Sequence, residues 1–153
     1  MTRSEKVRLG DLLIQQGLIT SHQLDQALEQ QKSSKFRLGR LLVNNGFVTE
    51  EHISEALAKQ LGIPFINLKN FHIQHELVRL MSESQARRLQ SIVLEQRKGS
   101  LLIGMADPTD LAAAQEISGI VKSRIDVAVV TEGQLLESID RGYLRVHGII
   151  GFD

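Results

Sequence analysis

Apolar residues in the first sixty positions follow a helical rhythm, and they do so twice. Leu9, Leu12 and Leu13 fall on one face of a short helix, as Leu38, Leu41 and Leu42 do further on. Gly17 and Gly46 stand where each short helix needs a left-handed residue to stop. Thr20 and Thr49 read as N-caps of a second, longer helix. Thr20 and Gln23 have capping-box spacing, whereas Thr49 is followed by Glu50 and Glu51 in the electropositive first turn. Ile19 is placed to staple onto Leu24, and Val48 onto Ile53. On the longer helices Leu24, Ala27, Leu28 and Gln31 share a face, as do Ile53, Ala56, Leu57 and Gln60. Gly62 and Pro64 close the last of them.

The doubling is a duplication. Residues 8–31, RLGDLLIQQGLITSHQLDQALEQQ, overlie residues 37–60, RLGRLLVNNGFVTEEHISEALAKQ, without gaps; 10 of 24 positions are identical. The offset is 29 residues and the spacer is KSSKF.

Beyond residue 62 the rhythm changes. IPFINL reads as a short strand leading into a loop, and residues 75–88 as a helix ending in Arg87 and Arg88. SIVLEQRKGSLLIGMA reads as two strands around a Lys98-Gly99 turn, ended by Asp107-Pro108. A helix over 110–121, a third strand in RIDVAVV and a closing helix over 132–143 follow. The expected fold class is α+β: a tandem helical-hairpin subdomain over 1–62, then a small, mainly antiparallel αβ subdomain over 63–144. Residues 145–153 show no clear element and read as a linker or chain end.

Composition narrows the classes. The 153 residues carry 18 Lys plus Arg against 18 Asp plus Glu, so no basic excess points to a nucleic-acid polymer. The absence of Cys removes disulfides, thiolate metal sites and thiol nucleophiles. No signal-peptide core opens the chain, and no apolar run is long enough to insert in a membrane. A cytoplasmic setting is expected.

The neutral average hides a local bias. Lys32, Lys35, Arg37 and Arg40 form an acid-free stretch, while Arg3 and Lys6 lead into Arg8, the start of the first copy, with only Glu5 against them. Each copy thus opens on a basic segment, an Arg and a helix start. Helix N-termini attract anions, and a guanidinium adds bidentate phosphate contact or stacks on a π face. The following Leu-Gly offers an apolar contact and a close backbone approach. Gln31 and Gln60 end the longer helices, where an amide can bond a base edge or phosphate. Two equivalent half-sites suit a symmetric dinucleotide or a symmetric protein partner. Simple packing of a duplicated hairpin explains the same leucines and glycines without any ligand.

The two 24-residue segments strongly resemble the tandem motifs of the MshEN domain, the N-terminal domain of ATPases that power type IV pili, the mannose-sensitive haemagglutinin pilus and type II secretion. That family's pattern is RLG-x-x-apolar-apolar-x-x-G, ending in L-x-x-Q, twice, with a short spacer; MADPTD and the elements after it are also similar. The resemblance implies a non-catalytic receptor for cyclic di-GMP, a two-fold-symmetric bacterial second messenger, with no further cofactor and no metal. Arg8 and Arg37 would then stack on guanine and meet phosphate. Leu9, Gly10, Leu38 and Gly39 would form the floor. Leu24, Leu28, Ile53 and Leu57 would give apolar contact, with Ile53 departing from the usual Leu. Gln31 and Gln60 would close the half-sites, and Asp107 would accept from a guanine edge. Binding across both copies would lock their relative orientation and act on an ATPase domain in cis or a partner in trans. The alternative is an adaptor that docks such an ATPase to its inner-membrane platform.

Other motifs lead nowhere. Glu55-Ala56-Leu57 spells the EAL of cyclic di-GMP phosphodiesterases but sits inside a repeat copy, in a chain too short for that barrel. The Arg-x-x-Asp of Arg8 and Asp11 is a cheap match. His72-x-x-His75 reads as a solvated loop pair rather than a metal site. The G-x-x-x-x-G from Gly99 to Gly104 continues Met-Ala and is no P-loop. Tyr143 reads as core.

Overall fold

The computed structural model describes residues 8–152, with side chains described through Tyr143. Arg3, Glu5 and Lys6 lie outside the described residues. The chain divides into two compact units, Met1–Gln60 and Leu61–Asp153.

The first unit holds α1 (Leu9–Gln15), α2 (Ser21–Gln31), α3 (Leu38–Asn44) and α4 (Glu50–Leu61). Both short helices end alike. Gly17 and Gly46 have φ of 75° and 78°. The N–H of Leu18 returns to Leu13 O at 2.9 Å and that of Phe47 to Leu42 O at 3.0 Å. These are the 6→1 bonds of a Schellman stop. Both long helices start alike too. Thr20 Oγ1 accepts from Gln23 N at 3.1 Å while Gln23 Oε1 accepts from Thr20 N. In the second copy His52 takes the part of Gln23. Its N–H donates to Thr49 Oγ1 at 3.0 Å, and its Nδ1 accepts from Thr49 N at 3.3 Å.

One core serves both copies. Its buried members are Leu12, Leu13, Ile19 and Ala27 from the first, and Leu41, Leu42, Val48 and Ala56 from the second. Each residue has its counterpart 29 positions on. The copies therefore interdigitate rather than stand as two separate hairpins.

The second unit starts with a correction. IPFINL makes a single parallel bridge, Phe65 to Val129, in place of a strand. Pro64 has no N–H to extend a ladder. Asn67 Oδ1 then accepts from Lys69 N at 2.9 Å and turns the chain into a 3-10 turn, Leu68–Asn70. The helix expected over 75–88 is two, α5 (His75–Val78) and α6 (Glu83–Leu89). Ser82 and Gln85 form a capping box that restarts the chain.

Strands β1 (Ser91–Arg97) and β2 (Ser100–Met105) form the expected antiparallel hairpin, with a bulge between Val93 and Glu95. α7 (Leu111–Val121) then carries the chain back to β3 (Ile125–Val129), so β3 lies parallel to β2. The sheet is mixed, in the order β1-β2-β3, where a mainly antiparallel one was expected. The closing helix α8 (Glu132–Phe152) runs through the stretch that reads as a linker. It packs on α5, α6 and β1. Its Tyr143 hydroxyl donates into the carbonyls of Val78 and Met81, 2.8 and 2.6 Å away, and joins the core as expected.

Candidate functional site

The RLG motifs sit at the starts of α1 and α3. Arg8 and Arg37 are the extended N-cap residues, and neither uses its side chain to cap. The Arg8 side chain is 81% exposed, with Asp11 4.0 Å away. Arg37 is exposed and meets no acid among the described residues. Two other members of the basic run are paired: Lys32 with Glu29 at 3.1 Å, and Arg40 with Glu50 at 3.1 Å. Since α1 and α3 are only seven residues each, the guanidinium groups are the stronger attraction these helix starts offer an anion.

The glycines have a packing role. A methyl on Gly10 would lie 2.6 and 2.9 Å from the Leu24 methyl carbons. A methyl on Gly39 would lie 3.6 Å from Ile53 Cδ1, the matching contact, and 3.3 Å from Leu9 Cδ2 of the other copy. Thus Leu9, Gly39 and Ile53 are brought together across copies, and Gly10 with Leu24 within one. Leu9, Leu24, Leu38, Ile53 and Leu57 all lie half-buried around the core. Leu28, the counterpart of Leu57, is 41% exposed. Gln31 ends α2 half-buried, whereas Gln60 is exposed.

Asp107 belongs to the second unit. Its Oδ1 accepts from Thr109 N at 3.0 Å and from Thr109 Oγ1 at 2.6 Å in an exposed turn after β2. His72 is exposed as expected, but His75 is not a loop residue: it opens α5, and its Nδ1 lies 3.0 Å from Gly142 O. The two border an open groove of about 500 Å³ with Gln74, Glu76 and Arg79. Among the described residues no three potential ligands gather to hold a metal, and no helix is long and apolar enough to cross a membrane.

The shared core packs the two copies against each other. Contacts missed from sequence strengthen this. Gln16 Nε2 donates to Ala56 O at 3.3 Å, and Asn45 Nδ2 to Gln30 Oε1 at 2.7 Å, each crossing from one copy to the other. Their signal was visible, because an amide precedes the stop glycine in both copies.

Fold and site define a two-part domain, a duplicated helical unit with paired exposed arginines followed by a three-stranded α+β unit. The model of the MshEN domain family matches residues 61–148, more than half of the chain, and the chain belongs to that family. The match falls on the second unit; likeness to individual relatives extends over both. The type IV pilus assembly ATPase PilB of Myxococcus xanthus is 32% identical over 136 residues, 89% of this chain. The PilB of Thermus thermophilus is 25% identical over 138 residues. The chain spans 24% and 16% of those relatives' lengths. A solved structure of MshE with cdg (cyclic di-GMP) is similar with a TM-score of 0.77 at 37% identity, covering 90% of this chain and 100% of that one. The N-terminal domain of XpsE shares the fold, with a TM-score of 0.69 at 21% identity over 88% of this chain and 92% of that one.

Proposed function

We propose that this chain is a receptor domain for cyclic di-GMP that regulates a pilus-assembly or secretion ATPase from the cytoplasmic side of the inner membrane. The observation that carries this is the pair of exposed N-cap arginines, repeated at a 29-residue offset on one shared core. A two-fold dinucleotide offers each arginine a guanine face and a phosphate. Leu9, Gly10, Leu24, Leu28 and Gln31 serve one half, and Leu38, Gly39, Ile53, Leu57 and Gln60 the other. The likeness to MshE with cdg supports the same ligand class. The ligand acts here as an effector, and no chemistry is done on it.

Calorimetry with the purified chain tests this. Arg8→Ala and Arg37→Ala should each weaken affinity by about 1–3 kcal/mol, the range for losing a stacked, phosphate-bonded guanidinium. Absence of heat at tens of micromolar ligand rejects the receptor reading.

A second reading, an adaptor docking the ATPase to its membrane platform, draws on the α+β unit. The family model matches that unit, which lacks the RLG motifs, and Leu80 and Leu111 are 42% and 73% exposed there. An adaptor keeps its partner when both arginines are replaced; a receptor loses its ligand.

A further inference from the structure

Gln16 and Asn45 occupy equivalent places in the two copies, one residue before the stop glycine. Each reaches out of its own copy onto the long helix of the other. Gln16 does so with one bond, to Ala56 O at 3.3 Å. Asn45 does so with two, donating to Gln30 Oε1 at 2.7 Å and accepting from Gln30 Nε2 at 3.3 Å. Asn45 Nδ2 also donates to Leu41 O at 2.8 Å, which anchors the same amide to its own helix. The braces stand at the C-terminal ends of α1 and α3, while the arginines stand at the N-terminal ends. Gln30 is the immediate neighbour of Gln31.

Apolar packing holds the copies together but is non-directional, so it tolerates small slips between them. Amide pairs at these distances are directional and resist a slip. We infer that Gln16, Gln30 and Asn45 are positioning residues that set the separation of the two arginine half-sites, so that one two-ended anionic ligand meets both. This rests on the two-motif reading above. A two-ended ligand gains from its second contact only when the separation of the half-sites matches its own span. A one-ended ligand is indifferent to that separation.

The experiment compares cyclic di-GMP, by calorimetry, with GMP, by nuclear magnetic resonance titration, on the full chain. Asn45→Ala should weaken cyclic di-GMP binding about three- to tenfold, as expected for a lost amide hydrogen-bond pair. Gln16→Ala should weaken it less, having one longer bond, and both variants should leave the GMP titration unchanged. Unchanged cyclic di-GMP affinity in the Gln16→Ala/Asn45→Ala double variant overturns the inference. Equal losses for GMP and cyclic di-GMP also overturn it, because they assign the amides to local structure in one half-site. Failure of the unmodified chain to bind cyclic di-GMP rejects the underlying receptor reading, and the inference with it.

Discussion

In the α+β unit Arg88 forks onto both carboxylate oxygens of Glu116, Arg87 bridges Glu83 and Asp140, and Arg97 lies between Glu95 and Asp126. In the helical unit Arg8 and Arg37 project into solvent, Arg8 with one acid no nearer than 4.0 Å. Arg87, Arg88 and Arg97 are thus engaged by partners, as Arg40 is by Glu50 in the helical unit, whereas Arg8 and Arg37 keep most of their donors open. Hydrogen bonding to Glu116 raises the Arg88 pKa and lowers that of Glu116 from their ordinary values. Such exposed pairs hold elements in register but add little stability. An arginine with its donors open keeps its fork for a ligand. Within the helical unit the difference sets Arg8 and Arg37 apart from Arg40, which composition cannot do, since net charge is zero.

The helical unit has the smaller core, and this gives the largest expected effect. Leu13 and Leu42 are equivalent and fully buried. Leu13→Ala and Leu42→Ala should each cost about 2–5 kcal/mol in urea unfolding followed by circular dichroism. Similar losses at both would sustain the shared core; a loss at only one would break the equivalence.

Next comes the pair of motif glycines. Gly10→Ala drives a methyl into Leu24 at 2.6 Å, whereas Gly39→Ala meets its neighbours at 3.3 Å or more. Overpacking costs about 1–3 kcal/mol, and alanine returns about 1 kcal/mol of helix propensity. Gly10→Ala should therefore lower the melting temperature, and Gly39→Ala should leave it nearly unchanged or raise it. The reverse order would contradict the packing described.

The smallest effect belongs to the α+β unit at high pH. Burial, with a lesser push from Glu83, raises the Tyr143 hydroxyl to about 12. A raised pKa gives stability that is complete below the free phenol value of about 10 and is lost as pH climbs toward 12. Melting curves of the unmodified chain should fall across that window. In Tyr143→Phe this component of the fall should vanish.

Much of the helical unit is legible in sequence because its signals are local. The stop glycines, Thr20 with Gln23 and the leucine faces act within a turn or two. Thr49 shows where this ends: its partner is His52, a residue with no standing as a capping-box member, in the position where Gln23 serves the first copy. Ser82 with Gln85 is equally local, but helix-compatible residues on both sides of it hide the break between α5 and α6. The parallel pairing of β2 with β3 is a matter of topology, set by α7 returning the chain to the end where β2 began so that β3 runs along its open edge, and hydropathy alone does not specify it. At the candidate site, residue types and spacing mark Arg8 and Arg37. The glycine contacts with Leu24, Leu9 and Ile53 need three dimensions, as do the braces from Gln16 and Asn45.

The central claim is that two exposed arginines on one duplicated core grip one symmetric dinucleotide. Calorimetric titration of cyclic di-GMP into the chain and its Arg8→Ala/Arg37→Ala variant tests it most directly. The account predicts one ligand per chain and no detectable binding in the double variant at the same concentrations. Equal affinity in the two proteins, or no binding to either, would contradict it.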